Sequence, residues 1–266
     1  MRRHRSVLVA PVAALVIVIV GSACGSTAAD TADPADPGAS AVRGTVLVAA
    51  AASLTEPFTR IITEFEAAHP GVEVTPTFDS SGTLATQITN GAPVDVFASA
   101  DEANMRTLTD AGLIAGTPRH VARNQLAIVV KQGNPRGVTT LKDLETVGTV
   151  SLCGAPVPCG KYADQILQRA GVTIPADRIT RGQNVKAAFT AVAEGDADAG
   201  IVYVTDITGA KVEAVTIPDD QNAIATYPVA VVKAAANPTA AEAFIAQVLS
   251  PNGQAALRAA GFLAPS

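Results

Sequence analysis

Val46-Leu-Val-Ala-Ala-Ala-Ala-Ser53, running on into Leu54-Thr-Glu-Pro-Phe58, is the stretch that sets the reading of the whole chain. Val46, Leu47 and Val48 suit a strand covered on both faces, as in a parallel sheet. The strand runs out in small residues and turns at once into a helix. Ser53 is a preferred N-cap type, Glu56 stands at capping-box spacing from it, and Pro57 fits the first helical turn. The alanines let a ligand approach the backbone closely. The N–H groups of a helix start, with the dipole behind them, favour an anion there. Ser53 therefore has two compatible readings, as a cap and as a hydroxyl that accepts from one N–H while donating its own proton outward.

The same construction recurs downstream. Ile61, Ile62 and Phe65 give a helix from Thr55 to about Ala68 a buried face, and His69-Pro-Gly71 ends it, with His69 against the C-terminal dipole. Val72, Val74, Pro76 and Phe78 carry a second strand, and Asp79-Ser-Ser-Gly-Thr83 follows, with Ser81 expected to cap a helix buried through Leu84 and Ile88. A third strand, Val94 to Ala98, leads to Ser99-Ala100-Asp101, where Asp101 caps the helix through Met105 and Leu108. Asp95 is read as structural, because a carboxylate in an anion pocket opposes binding.

Further along, Gln125 to Lys131 and Val147 to Leu152 read as strands, with a short helix at Thr140 to Leu144. The loop Cys153-Gly-Ala-Pro-Val-Pro-Cys159-Gly160 leads into a helix on which Lys161 is expected to face water. Asn184 caps a helix that starts at Val185, and Ala199 to Asp206 puts Tyr203 at a strand end with its phenol free to donate. Strands over Val212 to Ile217 and Tyr227 to Lys233 precede two closing helices, Ala240 to Leu249 and Gly253 to Ala260. Strands alternating with helices make this an α/β protein. No glycine-rich P-loop and no internal repeat is present.

Upstream, Arg2, Arg3 and Arg5 precede an apolar run from Val7 to Val20, which ends in Gly21-Ser-Ala-Cys24. That is the layout of a secretory signal, and the run falls short of the ~20 apolar residues of a membrane span. Cys24 resembles the acylated cysteine of bacterial lipoproteins, although Gly21 stands where their signal usually has Leu. Residues 1–23 are read as the signal, and residues 24–43, rich in Ala, Asp, Thr, Pro and Ser, as a flexible tether. The 266-residue chain has 19 basic and 24 acidic residues; without the three arginines of the signal, 16 against 24 leaves −8. A net field of that sign attracts no anion, so any anion site must be built locally. With 4% aromatic residues and no Trp, a single-stranded nucleic-acid platform is excluded, and no nucleic-acid partner is expected.

With Cys24 taken by lipid, Cys153 and Cys159 remain as a pair in an exported chain, where a disulfide is expected. The alternative, a metal pair, lacks companions, since His4, His69 and His120 are scattered. No cation-binding metal site is expected.

The strand–helix Ala-Ala-Ala-Ser53-Leu, the Ser80-Ser-Gly-Thr-Leu-Ala turn, Gly91-Ala-Pro-Val-Asp-Val-Phe-Ala-Ser-Ala-Asp101, Gly200-Ile-Val-Tyr203, Tyr227-Pro-Val-Ala230 and Gly261-Phe-Leu263 together resemble the molybdate-binding proteins of ABC importers, the ModA family. The resemblance spans about residues 44–264. It implies a two-lobe type II periplasmic-binding-protein (Venus-flytrap) fold with the ligand in a cleft between the lobes. Lobe one would be 44–125 plus 226–266 and lobe two 126–225. It also implies an oxyanion pocket of neutral donors. By motif these fall on Ser53, Ser81, the N–H of Ala100, Cys159 in place of the family's usual Ala, Val185 and Tyr203. Cys159 departs from the pattern, and a bond to Cys153 would stiffen its loop.

On that resemblance the chain is a non-enzymatic, monomeric, lipid-anchored protein on the outer face of the cytoplasmic membrane. It captures molybdate, and tungstate as well, and hands it to an ABC permease without a cofactor. Neutral donors favour a fully ionised tetrahedral anion over a protonated one, for which no acceptor waits. The rivals are another oxyanion, sulfate or phosphate, and a secreted serine hydrolase. The hydrolase lacks a Gly-x-Ser-x-Gly elbow and a base for Ser53 or Ser81, with His120 read as a surface residue. The absence of Arg at the matched positions disfavours carboxylate ligands.

Overall fold

The computed structural model describes residues 42–207 and 211–265. The signal, the lipidation position Cys24 and most of the tether lie outside the described residues. The structure is a mixed α/β protein whose strands, β1 (Gly44–Ala51), β2 (Val72–Asp79), β3 (Val96–Ala98), β4 (Ile114–Lys131), β5 (Val150–Cys153), β6 (Ile179–Gly182), β7 (Ala199–Tyr203), β8 (Val212–Thr216) and β9 (Ile224–Val232), run in the order β2-β1-β3-β9-β4-β7-β5-β6, with β8 pairing β4 to one side.

Strand β1 (Gly44–Ala51) pairs in parallel with β2 (Val72–Asp79) and β3 (Val96–Ala98), and helices α1 (Thr55–Ala68) and α2 (Ser81–Thr89) make the crossovers. Helix α1 buries Phe58, Ile61, Ile62 and Phe65. Each such side chain contributes roughly 1.5–3 kcal/mol of transfer free energy. Phe58 and Phe65 both meet Phe244 edge-on, which docks α1 on α6 (Pro238–Leu249), itself followed by α7 (Pro251–Ala259).

After α3 (Glu102–Asp110) comes β4, which spans Ile114–Lys131, far longer than the Gln125–Lys131 strand expected from sequence. Its first part pairs antiparallel with β9 (Ile224–Val232), ending at Gln125 opposite Ile224; from Leu126 onward it pairs with β7 (Ala199–Tyr203) and β8 (Val212–Thr216). Gly116, Pro118 and His120 hid the strand's first half, because they coincide with two interruptions of register, Ala115/Arg119 and His120/Ala122.

The second half of the structure is built on β5 (Val150–Cys153), which pairs in parallel with β6 (Ile179–Gly182) and β7, with α4 (Pro158–Arg169) and α5 (Val185–Ala193) packed on them. Asp95 has the structural role expected of it. Buried, it accepts from the N–H of Leu47 at 2.8 Å and of Asn237 at 3.1 Å, so it ties β1 to the start of α6.

Candidate functional site

The C-terminal ends of parallel strands are where open α/β sheets leave a crevice. Here the ends of β1, β2 and β3 meet the starts of α4 and α5 and the end of β7 around a cavity of about 20 Å³. Ser53, Ser81, Ala100, Cys159, Val185 and Tyr203 all line it. That space exceeds the ~10–15 Å³ needed for one water centre and suits a compact solute whose oxygens are each water-sized.

Two expected roles are corrected. Ser53 does not cap α1: it sits in a 3₁₀ turn, Ala52–Leu54, the N-cap of α1 is Leu54, and no side chain caps it. The Ser53 hydroxyl lies instead 2.9 Å from the phenol of Tyr227, and both are buried. The cap of α2 is Ser80, whose Oγ accepts from the N–H of Thr83 at 3.1 Å, not Ser81. Ser81 Oγ accepts from the N–H of Ala100 at 2.9 Å, so two expected donors to a ligand here bond each other.

These bonds leave protons to give. Burial lifts the Tyr227 phenol far above its usual range and keeps it protonated, and Asn124 Nδ2 donates to its oxygen at 3.4 Å. Tyr227 can therefore donate to Ser53, an arrangement in which the Ser53 proton is available to the cavity. Ser81, already accepting from Ala100, has its own proton free in the same way. Tyr203 is buried, and its hydroxyl has no hydrogen-bond partner among the described residues. Burial first, then the neighbouring Tyr227, raises its pKa well above 10, so it too is a donor.

The helix starts add N–H groups. The first-turn N–H groups of a helix have no intrahelical partner. Asn184 caps α5 by accepting from Ala187 at 3.0 Å, which leaves the N–H of Val185 among the uncapped ones. Helix α4 has Val157 at its N-cap and no capping side chain, with Pro158 next, so the N–H of Cys159 is the first one available. Gly160 has to be glycine, because a Cβ there would overlap the carbonyl of Gly154, on which this turn rests.

Cys153 and Cys159 form a disulfide with Cα atoms 5.8 Å apart, joining the end of β5 to the first turn of α4. Closing so short a loop removes chain entropy worth about 2 kcal/mol. Replacing both cysteines by Ser should therefore lower the melting temperature by roughly 4–8 °C. Parallel thermal unfolding of the two proteins checks this, and an unchanged midpoint would show that the bridge does not constrain the unfolded chain.

Sequence reasoning missed Asp79, Tyr227 and Asn184 as parts of the site. Asp79 lines the cavity, where its Oδ1 accepts from the N–H of Ser80 at 2.6 Å and from Asn184 Nδ2 at 3.1 Å. Its place at a strand end, one residue before the Ser pair, was the available signal. Lys161, expected to face water, is half-exposed and reaches Asp101 Oδ2 at 3.4 Å, a contact from α4 to the start of α3. His120 is paired with Glu102 at 3.2 Å, away from the cavity. Behind Tyr203, Asp206 is buried. Burial pushes its pKa up to about 6 against the opposing pull of Lys186, 3.2 Å away.

A family model described as bacterial extracellular solute-binding protein matches residues 46–263. The molybdate-binding protein ModA of Mycobacterium tuberculosis H37Rv is 38% identical over 91% of this chain and 92% of its own length. The molybdate-binding protein ModA of Escherichia coli K12 is 35% identical over 82% of this chain and 89% of its own. Among solved structures, the periplasmic molybdate-binding protein of Azotobacter vinelandii superposes with a TM-score of 0.74 at 25% identity, covering 83% of this chain and all of that one. The fold shared with these relatives is the two-lobe type II fold of periplasmic binding proteins.

Proposed function

Since this chain belongs to the bacterial extracellular solute-binding proteins, and among them to the ModA family, we propose that it captures molybdate outside the cytoplasm for delivery to an ABC importer. The observation that carries this reading is buried Tyr203, which lines the cavity and whose hydroxyl has no hydrogen-bond partner among the described residues, beside the hydroxyls of Ser53 and Ser81. Hydroxyls and helix-start N–H groups are neutral donors, and neutral donors suit a dianion that offers only acceptors. Ser53 and Ser81 donate through their hydroxyls, Tyr203 through its phenol, and Cys159 and Val185 through their N–H groups. Ala100 acts through Ser81. Tungstate, of the same shape and charge, binds as well.

Lobe one comprises 44–125 plus 226–266 and lobe two 126–225, and the ligand is held between them. Ligand contacts from both lobes stabilise the closed form, whose population a permease reads. The protein works as a monomer, without a cofactor and without enzymatic activity. Cys24 carries a lipid that anchors it to the outer face of the cytoplasmic membrane, after removal of residues 1–23. Among the described residues no helix is long and apolar enough to cross a membrane.

Asp79 supports a second reading. A carboxylate in the wall can accept from the O–H of a protonated oxyanion such as hydrogen phosphate. Calorimetric titration of metal-free protein with molybdate, tungstate, sulfate and phosphate separates the two. Heat from molybdate and tungstate alone is the expected result. Saturable binding of phosphate with none of molybdate would transfer the site to the second reading.

A further inference from the structure

Lys186 directly follows Val185, and its ammonium lies between carboxylates from two other segments of the chain. Both oxygens of Glu56, on the first turn of α1, are 2.9 Å away. Asp206, in the turn after β7, is 3.2 Å away with its side chain wholly buried. Glu56 follows Ser53 by less than one helical turn, and Asp206 follows Tyr203 closely. One cation therefore joins the three segments that carry Ser53, Val185 and Tyr203. Asp206 and Lys186 belong to the half of the structure built on β5, whereas Glu56 belongs to the half built on β1. The Glu56 arm crosses the cleft and the Asp206 arm does not.

An exposed ion pair is ordinarily weak, because two long side chains must be ordered to make it and solvent screens it. Here one of those costs is already met. Lys186 has a buried carboxylate at ion-pair distance and only 29% of its side chain is exposed, so Glu56 closes on a cation already drawn to that place. The pKa of Lys186 is raised overall, because attraction from Asp206 and Glu56 outweighs its desolvation.

We propose that Lys186 is a positioning residue of the oxyanion cavity: held by Asp206, it takes Glu56 across the cleft and so keeps Ser53 facing Val185 and Tyr203. This rests on the oxyanion reading above. It adds to that reading a specific contact, outside the cavity, that governs how long the ligand stays.

Glu56→Gln tests it, since it cuts only the cross-cleft arm, leaves the Lys186–Asp206 pair intact and changes a side chain that is 57% exposed. The expected result is a molybdate koff raised about three- to tenfold, with kon little changed. The ligand-free unfolding midpoint should stay close to wild type, which a merely structural role would not allow alongside a faster koff. The difference in koff should also shrink at high salt. A variant with wild-type koff would overturn the proposal. If folded wild-type protein bound none of the oxyanions, the functional reading would fail by itself. X-ray scattering of the ligand-free proteins would then decide: the proposal requires Glu56→Gln to be the more open, and equal radii of gyration would end it.

Discussion

Molybdate at about a thousandfold its Kd should raise the melting temperature of metal-free protein by roughly 8–16 °C. Linkage sets the size of the effect. A ligand that binds only the folded state at that excess adds about 4 kcal/mol, and a domain of this length gains roughly 2–4 °C per kcal/mol. The unfolded chain has no affinity to subtract, because the donors come from turns far apart in sequence and are brought together only by folding. Ser53 and Tyr203, for example, sit at the ends of β1 and β7. Tungstate should match molybdate. Sulfate should fall short, because donors fixed by Tyr227, Ala100 and Asn184 cannot follow a smaller ion inward. Folded protein whose melting is indifferent to every oxyanion would sink the binding reading.

Removing both serine hydroxyls should be the most damaging change to affinity. Each charge-assisted hydrogen bond contributes about 1.5–3 kcal/mol, so Ser53→Ala with Ser81→Ala should raise the Kd by about two to four orders of magnitude. The single variants should be unequal. Ser81→Ala releases the N–H of Ala100, now 2.9 Å from Ser81 Oγ, and that N–H lines the same cavity and can replace part of what was lost. Ser53→Ala has no such reserve, since its neighbour Tyr227 is not among the lining residues. Calorimetry on the singles and the double checks both the size and the order. A double variant within tenfold of wild type would remove the serines from the site.

The strand-to-helix turns were legible because their information is local. Hydroxyls and small residues at Ser53, Ser81 and Ala100, and a Tyr closing Gly200-Ile-Val-Tyr203, announce themselves within a few positions, and all of them line the cavity. What the hydroxyls do there was not local. Of the two readings open to Ser53, the cap suggested by the capping-box spacing of Glu56 fails, because its partner is Tyr227, 174 positions away. Ser80 and Ser81 look interchangeable in sequence. Both line the cavity, and only the approach of Ala100 separates them: Ser80 caps α2, whereas Ser81 accepts from the N–H of Ala100. Asp79 escaped notice for the same reason: its carboxylate matters through Asn184, which arrives from the other half of the structure. The first half of β4 was hidden because breaks in register suspend the alternation that marks a strand.

The antiparallel pairing of β3 with β9 has a consequence for how this protein is made. Val96 stands opposite Val231, so the sheet that begins with β1 and β2 lacks its inner neighbour until nearly the whole chain is available. A polypeptide that emerges N-terminus first leaves β3 with an unsatisfied edge during that interval, an aggregation hazard. Such long-range closure also makes for slow maturation. The segment between β4 and β9, by contrast, holds β5, β6, β7 and β8 together with α4 and α5, and can condense as soon as it has emerged. The later-made half is therefore expected to ripen first, with the N-terminal strands waiting on it.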